Sequence, residues 1–208
     1  LKKKDGSIYK SILFGKIDRS VGGLSGGQFA RIANQEQSYL LKGGIRMPSS
    51  RSDWFESLLF TVKNNEFKSA ELNNNKKIFK IENIDKALTL TFPKPLSFKI
   101  DKTKLDQVKE VINGFYFYDV RKSSGTNLND LSTLTYKTNN GLIISLSSVG
   151  ESKGKESWIK IKTNFDNPKS KALSTEINNK TSGFEFLANI NTSDIFLWNK
   201  TNFKAKDL

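Results

Sequence analysis

The chain has 208 residues, a formal net charge of +13, 36% hydrophobic residues, and neither cysteine nor histidine. Without Cys there is no disulfide, no thiolate nucleophile and no Cys-ligated zinc. Without His, general-base chemistry near neutral pH would fall to a perturbed Asp, Glu, Lys or Tyr. More than a quarter of the residues are Leu, Ile, Val or Phe, which supports a buried core, whereas no apolar run approaches the roughly 18 residues that cross a bilayer.

Taken in order, Leu1–Lys4 is a basic lead-in, and a start on Leu rather than Met reads as a processed or excerpted N-terminus. Ser7–Gly15 predicts a strand with Ile8, Ile12 and Phe14 on one face. Lys16–Gly27 is a connection with four glycines and two serines, suited to positive φ. Gln28–Ile32 and Gln37–Leu41 predict two further strands around a turn at Ala33–Glu36, with Phe29, Tyr39 and Leu41 packed inward. Met47–Ser52 reads as a linker. Ser52 or Asp53 would then cap a short helix near 52–60 carrying Trp54, Phe55, Leu58 and Leu59. Phe67–Leu72, Lys77–Glu82 and Ala87–Phe92 predict a three-strand run with Asn73-Asn74-Asn75 as a tight positive-φ turn.

Pro93-Lys94-Pro95 breaks the pattern and marks a boundary. Asp101 should cap a helix over Lys102–Asn113, with Leu105, Val108, Val111 and Ile112 at helical spacing and Gly114 as its C-cap. Phe115–Arg121, Leu131–Lys137, Leu142–Ser148 and Ser157–Thr163 predict four strands, the second and third joined by the turn Asn139-Asn140-Gly141. Asn167-Pro168 opens a closing helix over 169–182, ended by Gly183. A last short helix is expected near Ser193–Asn199. The fold class that follows is α+β: two repeated units of antiparallel β-meander with short covering helices. The units are 1–95, expected to lack elements on its N-terminal side, and 96–208.

Leu24-Ser25-Gly26-Gly27-Gln28 matches the signature pentapeptide of ABC-transporter ATPases, with Arg31 following. That motif acts only inside a complete ATPase, and this chain has no G-x-x-x-x-G-K-[ST] loop, no apolar strand ending in Asp-Glu and no His. Two readings of the loop stay open. It is a flexible connection, or its amides form an anion nest in which Gly22, Gly23, Ser25, Gly26 and Gly27 with Arg31 are the candidate ligand residues.

The charge is equally two-sided. Only five of the 34 basic residues are Arg: Arg19, Arg31, Arg46, Arg51 and Arg121. Recognition of phosphates and bases favours the Arg fork, and the lysines are scattered among Asn and Ile, as on a solvated face. Specific nucleic-acid binding is not expected. Aromatic-basic stretches such as Trp198-Asn199-Lys200 and Phe203-Lys204-Ala205-Lys206 motivate an alternative reading as a lysine-rich binder of polyanions: anionic lipid, cell-wall polymer or nucleic acid. A carboxylate hydrolase would need two paired acids; Asp119, Asp130, Glu151 and Glu156 are the candidates, with no spacing that pairs them. No residue is assigned a catalytic or metal-binding role, and no cofactor is expected.

The order Ile12-Leu13-Phe14-Gly15-Lys16, Gly-rich loop, Phe29-Ala30-Arg31, Ser38-Tyr39-Leu40, then Trp54 and Leu58-Leu59, resembles a bacterial family known only as domain of unknown function 4340. Ala172–Phe186 is similar to that family's closing helix, Gly and aromatic strand, although the family usually has Trp or Tyr where Phe184 and Phe186 stand. The resemblance spans about Gly6–Leu208. It implies context rather than chemistry: a non-catalytic, periplasmic or extracytoplasmic module, anchored to the inner membrane in the full-length protein. Its expected partner is a protein of the bacterial envelope, such as components of an ABC-type export system.

Overall fold

The structure, a computed structural model, describes residues 5–8, 10–21, 26–44, 56–74, 76–94, 97–123, 125, 132–149 and 156–205. The chain forms two compact units, 1–49 and 50–208. All strand pairing within the sheets is antiparallel, and the class is α+β.

The first unit is a three-stranded sheet of β1 (Ile12–Asp18), β2 (Gly27–Ile32) and β3 (Ser38–Lys42). Register sets its faces, because directly opposed residues share one. Phe14 opposes Ala30, which opposes Tyr39, and Ile17 opposes Gln28, which opposes Leu41. Between Phe14 and Ile17 a bulge adds a residue to β1, and Gln28 Nε2 donates to Gly15 O there at 3.1 Å. One face therefore carries Ile12, Phe14, Ile17, Ala30, Tyr39 and Leu41. Phe29 opposes Leu40 instead and lies on the other face, so the expected inward trio of Phe29, Tyr39 and Leu41 is divided between faces.

Among the described residues the second unit holds a nine-stranded sheet and three α-helices. Its elements are β4 (Leu58–Phe60), β5 (Phe67–Asn74), β6 (Lys76–Ile84), β7 (Ala87–Phe92), α1 (Lys102–Asn113), β8 (Phe115–Lys122), β9 (Thr133–Thr138), β10 (Leu142–Val149), β11 (Ser157–Phe165), α2 (Lys171–Thr181), β12 (Phe184–Ala188) and α3 (Ile190–Ile195). The strand order is β4-β8-β12-β11-β10-β9-β5-β6-β7. Strands from both sides of Pro93-Lys94-Pro95 thus share one ladder, joined where β5 pairs with β9. The division expected at 95/96, with a repeated sheet on either side, is replaced by one at Ser49/Ser50.

Each local choice has a physical cause. α1 begins where Asp101 accepts the Thr103 amide at 2.9 Å, and it buries Leu105, Val108, Val111 and Ile112 on one stripe. Its C-cap, Gly114, is extended (φ −167°) rather than left-handed. A Cβ there would sit 3.0 Å from the Tyr116 ring, so the glycine serves close approach, not a helix stop. The helix expected near 52–60 is contradicted at its end: Leu58–Phe60 is strand β4, drawn to the free edge of β8, where Phe60 stacks on Phe115 at 5.6 Å. Residues 51–55 lie outside the described residues. Asn73 and Asn74 extend β5 and pair with Lys77 and Lys76, so the chain reverses at the end of the expected Asn73-Asn74-Asn75 span; Asn75 lies outside the described residues. The next hairpin turns at Asp85 and Lys86, both at positive φ.

All three helices lie against the core, and the register places α1 and α2 on the same face. Tyr136 opposes Ile144, which opposes Thr163. Tyr136 Oη donates to Val108 O of α1 at 2.8 Å, and Thr163 Oγ1 donates to Ser174 O of α2 at 2.9 Å. Phe67, Phe79, Leu134, Tyr136, Ile144 and Ile159 are buried on this side with Val108 and Ile177. The opposite face has no helix on it among the described residues, and its cross-strand rows are polar, for example Lys162–Ser145–Thr135–Glu71–Lys80.

Candidate functional site

Two residues of the Gly-rich candidate loop are structural in what they touch. Gly26 has φ +68° and its carbonyl accepts Gly43 N at 2.7 Å. A Cβ on Gly27 would sit 3.0 Å from Leu40 Cδ1. Arg31 stands four residues further along β2, about 13 Å at strand rise, with Phe29 between on the same face. Gly27 and Arg31 are therefore not brought to a common point. Gly22, Gly23 and Ser25 lie outside the described residues, as do Asp130 and Glu151 of the carboxylate candidates. Asp119 Oδ1 accepts the amide of its neighbour Val120 at 2.9 Å, and Glu156 is exposed just before β11. Among the described residues no group of three or more acids converges as a metal site.

The second unit does assemble a charged cluster around a buried carboxylate. Strand β12 is the sequence Phe184-Glu185-Phe186-Leu187-Ala188, and its pleat sends Phe186 into the core against Phe117 while Glu185 takes the helix-free face. There Glu185 is fully buried. Arg121, directly opposite on β8, donates Nε to Glu185 Oε2 at 2.8 Å. Lys160 Nζ on β11 stands 3.7 Å from Oε1, and Ser123 Oγ reaches Oε1 at 3.3 Å. The Arg121 guanidinium also lies 4.1 Å from the centroid of the Trp158 ring, which fixes the fork in orientation. A buried carboxylate is tolerated only when paired and hydrogen-bonded in this way.

Beside the cluster the sheet opens. β12 pairs with β11 only as far as Ile159. Beyond it α2 takes over the strand edge, with Asn178 Oδ1 accepting Thr163 N at 2.8 Å and Nδ2 donating to Thr163 O at 2.9 Å. The gap is a cleft of about 370 Å³ whose walls include Ser123, Lys160, Lys162, Asn178, Ser182 and Phe184. A second cleft, about 490 Å³, lies between α1 and α3; there Lys104 Nζ is 4.8 Å from the Trp198 centroid.

None of the cluster was singled out from the sequence. The available signal was period two: an acid between aromatics in Phe184-Glu185-Phe186, and lysines alternating with isoleucines in Ile159-Lys160-Ile161-Lys162. That pattern shows which face a charge takes, not which charges meet, since Arg121 and Glu185 are 64 residues apart.

The first unit offers a different surface. On one face Ile12, Phe14, Ile17, Tyr39 and Leu41 are each 38–47% exposed, and on the other Leu13, Phe29 and Leu40 are 43–45% exposed. No family model, no curated protein and no solved structure matches the chain.

Proposed function

We propose that the protein is a non-catalytic accessory module of the bacterial envelope that works through protein contacts. In this reading it is extracytoplasmic, tethered to the inner membrane in its full-length form, and engages components of an ABC-type export system. The observation that carries the interaction role is the apolar face of the first unit. A three-stranded sheet needs a hydrophobic face to be stable by itself, and five large apolar side chains together on one face have the character of a contact surface rather than scattered exposure. The envelope setting rests on the resemblance to domain of unknown function 4340.

The test is affinity capture of the full-length protein from its own envelope, with mass spectrometry of the co-purifying proteins. A permease or auxiliary subunit of an exporter is the expected partner, lost in the double variant Phe14→Ser/Tyr39→Ser while circular dichroism of the purified chain is unchanged. Capture that yields no envelope transport component, or that survives the double variant, would overturn the reading.

A further inference from the structure

We propose that the protein pairs with a second copy of itself through the free edge of β7, continuing its sheet across a two-fold axis. This pairing rests on the second unit alone and is independent of the contact surface on the first.

An edge strand carries a row of unused backbone donors and acceptors, and proteins blunt such edges by keeping them short or by placing lysine or proline on them. The two ends of this ladder differ in that respect. β4 is three residues long. β7 has six, Ala87-Leu88-Thr89-Leu90-Thr91-Phe92, with no charge and no proline, although β5 and β6 beside it both carry lysine. It alternates leucine and threonine as Thr133-Leu134-Thr135 of β9 does, and β9 has a strand on either side. Among the described residues no backbone group of β7 is bonded outside the β6 ladder. An edge strand with the composition of an interior one calls for a further strand.

The register shows which groups are open and what fits them. Ile84 opposes Ala87 across the two-residue turn Asp85-Lys86, a pair that is hydrogen-bonded in such hairpins. Bonded and open positions alternate from there, so the N–H and C=O of Leu88 and Leu90 point away from β6. Leu90 shares the cross-strand row of Ile81, Ala70 and Tyr136 on the helix-covered face, and Leu88, on that same face, packs against the core. An antiparallel copy with the axis at Thr89 sets Leu88 against the partner's Leu90, and Leu90 against the partner's Leu88, each pair exchanging both N–H···O bonds. Leucine then meets leucine on the core side, and Thr89 meets the partner's Thr89 on the other, pairs that stabilise a sheet. With the axis at Leu88, Leu90 would oppose the partner's Lys86. With the axis at Leu90, the pairing would run into the bulge at Thr91 and into Pro93. Thr89 is the centre that a second copy satisfies.

The experiment is sedimentation equilibrium of the whole chain at micromolar concentration, where twice the chain mass of 23.5 kDa is expected. Leu88→Pro removes an amide that bonds nothing within the chain, a place where an edge strand accepts proline. It should raise the dissociation constant at least about tenfold. Leu88→Ala loses side-chain packing but keeps the amide, and should remain dimeric. Cysteine reads the register. The chain has none, so Thr89→Cys can form a disulfide only between copies. The non-hydrogen-bonded pair on the axis has Cα atoms about 4.5 Å apart, within disulfide reach, and diamide should convert the variant to a covalent dimer. Thr91→Cys, which opposes the partner's Ala87, lies about 14 Å from its own counterpart and should stay uncross-linked. Should Leu88→Pro fail to fold, the two cysteine variants still decide. A monomer, equal behaviour of the two Leu88 variants, or equal cross-linking at 89 and 91 overturns the proposal. Loss of the dimer in Phe14→Ser/Tyr39→Ser does so too, because it places the association in the first unit.

Discussion

Tyr136 shows how much one buried hydroxyl can carry. Its ring packs edge-on to Phe67 and its Oη donates to Val108 O at 2.8 Å, tying β9 to α1. Tyr136→Phe keeps the packing and removes the bond, so the expected loss is about 1 kcal/mol, read from urea unfolding. Burial pushes the phenol well above its ordinary range. The folded value is therefore raised above the unfolded one, near 10. The stability this confers is whole below pH about 10 and drains as pH rises past it. The alkaline limb of a stability–pH curve should be shallower in Tyr136→Phe than in the parent protein. Glu185 sits at the other extreme of burial chemistry. Glu185→Ala leaves Arg121 and Lys160 facing an emptied position and should cost about 3 kcal/mol. Arg121→Ala, whose side chain is 41% exposed, should cost less, about 1 kcal/mol. Equal losses would mean the carboxylate is not the centre of the cluster.

At the scale of elements, what was legible in the sequence was what neighbours in sequence decide. The α1 limits, Lys102–Asn113, follow from the Asp101 cap and a single apolar stripe. The β5–β7 and β9–β11 meanders follow from alternation between turn residues. What was not legible depended on distant partners. Leu58 and Leu59 fit a helical stripe as well as a strand, and the choice was made by the open edge of β8, which is remote in sequence. The candidate Gly-rich loop was chosen on composition, whereas the charged cluster needed β8, β11 and β12 to be brought side by side. Turns behave similarly. Asp85-Lys86 occupies a two-residue hairpin at φ 50° and 66°, conformations that favour Asn-Gly, and the lysine disguised it. Replacing the pair by Asn-Gly should stabilise the protein by about 1 kcal/mol. Gly141 is the opposite case. Its φ is +90° and a Cβ would overlap Asn167 and Asp166, so Gly141→Ala should destabilise by at least about 2 kcal/mol. Thermal melts of both variants check the two signs together.

For the whole second unit, the sheet order places the strands richest in buried residues at its middle. β5, β9 and β10 are each paired on both sides, whereas β4 and β7 end the ladder. Amide hydrogen exchange should be slowest in β9 and β10, and several orders of magnitude faster in β4, since protection spans the range from local fraying to global unfolding. Uniform protection across all nine strands would contradict that gradient. The fold class was readable from the alternation of strands and short helices. The single continuous sheet was not, because nothing local in Pro93-Lys94-Pro95 reveals that β5 will meet β9.

The place of β12 bears on how such a chain is made. It lies between β8 and β11, yet it follows every other described strand of the sheet in the sequence. Until Phe184–Ala188 has emerged, β8 and β4 have no ladder to join, although β8 was synthesised some sixty residues earlier. Each such long-range closure slows folding, and an unpaired aromatic strand is an aggregation hazard while it waits. A nascent chain arrested before β12 should accordingly hold a folded β5-β9-β10-β11 ladder with β8 still sensitive to protease. The sheet is therefore completed only once β12 has been made, from the middle outward to one side.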